Sequence, residues 1–158
     1  MIIDPLPHER MLEVVALRLL PEAATFPPEW PTVSGAVWYG AGGRPVILHC
    51  ASGRWLVTMA DAIAEKLVQA TVGARCCEAI DLAGKWLGLH LSGSDVKRAL
   101  ASSADTAAML GGHDCASTTL FDCPVVVAKG TRDYYVWVKR SYSTDLLASL
   151  REHAASPA

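Results

Sequence analysis

Three short apolar runs dominate residues 37–59: VWY, then PVILHC, then WLVTM, separated by GAGG and ASGR. Glycine and serine between such runs are turn chemistry, so the runs read as successive antiparallel strands of a meander over 37–39, 46–50 and 55–59. They are apolar at nearly every position rather than alternating, which predicts helices against at least one face of their sheet. A second strand pair is clearer still. PVVVAK at 124–129 and YYVWVKR at 134–140 flank GTRD and predict a hairpin across 130–133.

Around these strands the spacing changes to that of helices. Met11, Leu12, Val15 and Leu19 recur on one face of HERMLEVVALRLL, predicting an amphipathic helix over 8–20 that Pro21 stops. Thr58-Met-Ala-Asp61 has the form of a capping box and announces another. From 61 to about 89 the pattern stays helical, but its polar stripe moves. Asp61, Glu65, Lys66 and Gln69 lie on the opposite side of the wheel from Arg75, Glu78, Asp81 and Lys85. One straight helix cannot bury a face with that pattern, so two helices, or one kinked at Gly73, are expected. Ser92-Gly-Ser94-Asp95 opens a further helix with Val96, Leu100, Ala107 and Leu110 inward, closed by Gly111-Gly112. HDCASTTLFDC at 113–123 fits either a loop or a short strand. The last helix runs from about Thr144 to His153 and buries Leu146, Leu147 and Leu150.

Residues 21–34 carry Pro21, Pro27, Pro28 and Pro31 and form an irregular, largely extended connection. It reads as a rigid strap with Phe26 and Trp30 pinned to the core. The expected fold is α+β, a single domain of residues 1–158, with the meander and the C-terminal hairpin joined in one largely antiparallel sheet packed against helices.

Composition narrows the function classes. A chain of 158 residues buries roughly 70% of its unfolded surface, enough for a real core. With 51% hydrophobic and 19% charged residues, disorder is excluded as the general state. The net charge of −2 excludes a polycation that holds nucleic acid by bulk electrostatics, though not a local patch. MIIDPLPHER lacks a basic region followed by an apolar stretch, so no signal peptide is expected, and no run approaches the ~18 apolar residues of a membrane span. Five cysteines, an odd number with Cys76 and Cys77 adjacent, argue against a secreted disulfide framework. The expectation is a soluble, cytoplasmic protein without a membrane partner.

The most chemically loaded pair is His49-Cys50. An apolar strand ending in His-Cys, with Gly53 three residues beyond the thiol, resembles the signature loop of cysteine-dependent phosphatases. The resemblance implies a Cys50 thiolate held by backbone amides and a helix N-terminus, with an arginine six residues on to grip phosphate. Position 56 is Leu, Arg54 comes too early, and WLVTM reads as a strand, so a core hairpin with a buried cysteine is the expected state. A catalytic Cys115 aided by His49 or His90 is a further thiol candidate. His113, Cys115 and Cys123 could supply three metal ligands, with Cys50 or His49 a fourth, although no CxxC spacing occurs. GAGGR at 40–44 lacks the full glycine fingerprint, and no cofactor is expected.

A basic group remains. Lys129, Arg132, Lys139 and Arg140 gather on the hairpin, and Lys97 and Arg98 lie early in the helix after Asp95. Two helices across a turn in AIDLAGKWLGLHLSGSDVKRAL, with a basic hairpin after them, resemble a winged helix-turn-helix domain, which implies DNA binding through those six residues. The plainer account of the hairpin charges is an edge kept soluble by lysine and arginine.

The sequence supports three readings. The leading one is a small non-enzymatic binding or regulatory module acting on a protein partner or on itself as a homodimer. The alternatives are a winged-helix-like nucleic-acid-binding protein, and a thiol or metal enzyme built on Cys50 or Cys115.

Overall fold

The computed structural model describes residues 1–6, 10–16, 26–27, 30–40, 43–58, 62–73, 77–82, 84–103 and 112–155. In chain order its elements are β1 (Ile2–Pro5), β2 (Met11–Ala16), β3 (Val37–Tyr39), β4 (Pro45–Ala51), β5 (Arg54–Thr58), α1 (Ala62–Gly73), β6 (Cys77–Asp81) and β7 (Trp86–Ser92). Then come α2 (Val96–Ser103), β8 (Cys115–Leu120), β9 (Cys123–Lys129), β10 (Tyr134–Lys139), a 3-10 turn (Arg140–Tyr142) and α3 (Ser143–Ala155). The chain divides into two compact units, one of residues 9–83 and the other of residues 1–8 and 84–158.

The unit of residues 9–83 is built on an antiparallel sheet of order β3-β4-β5-β2-β6. The meander forms as its turn residues predict. Ser52-Gly53 closes β4 onto β5, and Gly53 takes φ +68, a conformation that L side chains rarely adopt. Val14, Ile47, Trp55 and Val57 of the sheet pack with Ala64, Leu67 and Val68 of α1 in one core. The proline-rich strap is pinned as expected: Trp30 is buried, and Phe26 and Trp30 lie 5.5 and 5.6 Å from Trp55, ring centre to ring centre.

The other unit holds a sheet of order β1-β7-β10-β9-β8, also antiparallel throughout. The 124–140 hairpin is present in β9 and β10, and α3 buries Leu146 and Leu150. These leucines join Val96 and Leu100 of α2 over Leu89, Leu91, Val125, Val127, Val136 and Val138. Phe121 and Asp122 both take positive φ, 47° and 62°, making the two-residue turn between β8 and β9. Phe121 also lies against His153 of α3 at 4.6 Å.

The α+β class and the antiparallel pairing agree with the sequence; three expectations do not. The meander and the hairpin lie in two different sheets rather than one. Residues 11–16 are a strand, not part of a helix, because MLEVVA is short enough to suit either and gains two ladders by lying between β5 and β6. The helix after 61 does end at Gly73, but the chain continues as β6 and β7, so the shifted polar stripe marked a change of structure rather than a kink. Leu87, Leu89 and Leu91 alternate at period two, the strand signal in that stretch. Thr58 ends β5 and its Oγ1 donates to Pro45 O at 3.4 Å; Asp61 lies outside the described residues. Val96 and Leu100 are inward as predicted, while Ala107, Leu110 and Gly111 also lie outside the described residues. The ambiguous 113–123 segment contains strand β8. No helix among the described residues is long and apolar enough to cross a membrane.

Candidate functional site

His49 and Cys50 sit at the end of β4, where the register with β5 shifts between His49 and Ala51. His49 stands opposite Trp55 and Ala51 opposite Arg54, and the His49 and Cys50 side chains enter different surroundings. His49 is buried, its ring stacked 4.7 Å from Trp55, while Cys50 is half-buried and donates its Sγ–H to Leu48 O at 3.5 Å. Ser52-Gly53 is a hairpin turn leading straight into β5, so a strand rather than a helix follows the thiol. Arg54 binds Glu13 on the neighbouring β2, with its Nε 3.0 Å from Oε1. The phosphatase-like loop is therefore a β-hairpin turn, and its cysteine is half-buried rather than buried as expected.

Burial lowers the pKa of His49 from 6.5, with the backbone of Val33 and Ala51 partly offsetting it. Burial thus favours the neutral imidazole in the folded chain, and this fixes the sign of the linkage. Below 6.5 the unfolded chain takes up a proton that the folded chain resists, so stability falls as pH drops through and below that value. In thermal melts from about pH 7 to about pH 5, His49→Phe should fall less than the wild type. An equal fall in both would show that His49 is not the source.

The metal set does not converge. Lys129 N donates to Asp114 O at 2.8 Å, and the β8–β9 ladder runs from Cys115 opposite Ala128 to Cys123 opposite Leu120. Cys115 and Cys123 are thus at opposite ends, about 16 Å apart along the strands, and alternation turns them to opposite faces. His113 is exposed. Among the described residues no group of three His, Cys, Asp or Glu side chains could hold a metal ion. Cys123 lies in the core beside α3, and burial, reinforced by Asp145 and Asp122, pushes its thiol pKa up, away from thiolate chemistry. Cys115 is buried.

The basic residues are dispersed. Lys129 pairs with Tyr134 at the loop end of the hairpin, next to Arg132, whereas Lys139 pairs with Trp86 about 17 Å further along β10. Arg140 Nε donates to Gly84 O at 3.0 Å, and Arg98 Nη2 is 3.3 Å from Asp95 Oδ1. Lys97 is exposed on α2. The segment from 79 on, read as a helix, a turn from 83 to 96 and a second helix, holds the end of strand β6 and all of strand β7 ahead of α2, so that motif is not formed.

Two arrangements emerge only from the fold. His90 on β7 and Asp133 in the β9–β10 loop meet, Nε2 to Oδ2 at 2.6 Å, both about a quarter exposed. Tyr135 stacks on His90 at 4.9 Å. Gly130 makes this possible, because a Cβ there would stand 1.8 Å from Asp133 Oδ1. Such a pair can orient a base, but Cys115, in the same row, is three strands from His90, about 14 Å. That distance rules out direct activation of Cys115 by His90. The second arrangement is a cleft of about 450 Å³ on the other unit, floored by Leu12, Val68, Val72 and Ala79. The ion pair of Arg10 with Asp81, 3.0 Å, lies at its edge.

No family model and no curated protein matches the chain. Among solved structures, a chain of the heterotetrameric sarcosine oxidase from Corynebacterium sp. U-96, in complex with pyrrole 2-carboxylate, is similar with a TM-score of 0.73. The likeness covers 99% of this chain and 86% of that one at 18% identity. It shows the fold.

Proposed function

We propose that the chain is a non-enzymatic binding or regulatory module that works on a protein partner, in the cytoplasm. The observation that carries this reading is the likeness over 99% of the chain to one chain of a heterotetrameric assembly. The thiols add to it, since Cys115 and Cys123 are buried and His49 is stacked on Trp55 beside a hairpin turn, which suits packing rather than turnover. The test is isolation of the protein from its native source under gentle conditions, then light scattering. The expected result is a complex of fixed stoichiometry with another chain or with itself. A 16.9 kDa monomer at every concentration, with no partner held in fixed ratio, overturns the reading.

A further inference from the structure

Each sheet ends in two edge strands, and an edge is a template for pairing with another chain unless something blocks it. β1 ends in Asp4-Pro5, and β3 is three residues long with a register shift. β6 carries Glu78 and Asp81. β8 has none of these devices: CASTTL holds no charge and no proline, and its register against β9 is unbroken over six pairs.

The direction of its backbone groups is set by the ladder. The Lys129 N to Asp114 O bond makes 114 and 129 a hydrogen-bonded pair, so by alternation 116, 118 and 120 face β9 while 115, 117 and 119 turn outward. Cys115 is buried and already engaged. Ser117 and Thr119 are exposed, and their outward N–H and C=O groups have no partner among the described residues. Four backbone groups in one line stand open to an incoming strand.

We propose that β8 takes an extended segment of a partner protein as an added antiparallel strand, a short uncharged run flanked by basic residues. This rests on the protein-binding reading above. Charge selects the occupant. A second copy using both residues would pair Ser117 with Thr119 about a two-fold axis at Thr118, which brings Asp114 of each copy beside Asp122 of the other. Both carboxylates are exposed, and like charges placed opposite each other are destabilising. The same two acids favour a strand with lysine or arginine on either side of its uncharged centre.

The test uses the full chain alone and in its native assembly. Hydrogen exchange at the Ser117 and Thr119 amides should slow in the assembly. Ser117→Pro removes an outward N–H and leaves the β8–β9 ladder intact, so it should weaken the partner by roughly tenfold or more at unchanged melting temperature. Asp114→Asn with Asp122→Asn should weaken it too, more so at low salt. If no assembly forms, the protein-binding reading itself fails. If one forms while the two amides exchange as in the free chain, the edge inference alone fails. If the double Asn variant instead binds the partner more tightly, the occupant is not basic and the proposal is overturned.

Discussion

Trp55→Ala lowers stability by about 3–5 kcal/mol, the range for removing a fully buried indole and leaving its cavity. Trp55 is 1% exposed and stands at the centre of its unit's aromatic cluster. Phe26, Trp30 and His49 lie 5.5, 5.6 and 4.7 Å from it, and its Nε1–H donates to Pro31 O at 2.7 Å. The substitution therefore removes ring contacts to the meander and to the strap, and leaves a buried carbonyl without its donor. For a chain of this size the melting temperature should drop by about 6–20 °C. Trp55→Phe, which keeps a ring but not the N–H, should lose less. Chemical denaturation of the three proteins measures both effects. A loss below about 1 kcal/mol for Trp55→Ala would mean that the strap is not anchored here.

Gly88→Val is the second large effect, about 1–3 kcal/mol from overpacking rather than from a cavity. Gly88 lies on β7 opposite Trp137, and Leu6 N donates to its carbonyl at 2.8 Å. A Cβ at Gly88 would stand 2.7 Å from Leu6 Cδ1, 3.2 Å from Leu6 Cβ and 3.1 Å from the Trp137 indole nitrogen. The end of Leu6 can turn aside, but its Cβ and the buried indole cannot move as freely. Leu6→Ala removes only the closest of these contacts, so in a double-mutant cycle it should recover part of the loss, with a coupling of at least about 0.5 kcal/mol. Strict additivity would show that the contact with Leu6 is not the cause.

Much of the fold was legible wherever the signal was local. The turn residues around 40–44 and 51–54, the β-branched and aromatic runs at 124–140 and the leucines of α3 each settle a conformation within a dozen residues. Trp30 and Phe26 were legible as anchors because a proline-rich segment has few other ways to bind to a core. The errors fall where a short apolar run serves either period. MLEVVA satisfies a helical face, and only β5 on one side and β6 on the other make a strand the better outcome. In 77–92 the alternation of Leu87, Leu89 and Leu91 was present but hidden behind charges spaced like a helix.

The candidate chemistry shows the same division. His49-Cys50 drew attention because the two are adjacent, yet in a strand adjacency sends side chains to different surroundings, and a buried ring beside Trp55 is the result. His90 and Asp133 are 43 residues apart and carry no common motif; the register that sets His90 opposite Tyr135 brings them together. By itself the sequence determined the α+β class, the meander, the hairpin, the Phe26 and Trp30 anchors and the terminal helix, because turn chemistry and hydrophobic period act over a few residues. Only the tertiary structure decided that the strands form two sheets, that Cys115 and Cys123 part company, and that Ser117 and Thr119 turn their backbone outward. Those outcomes depend on which strand lies beside which and in what register, and that is a property of long-range pairing.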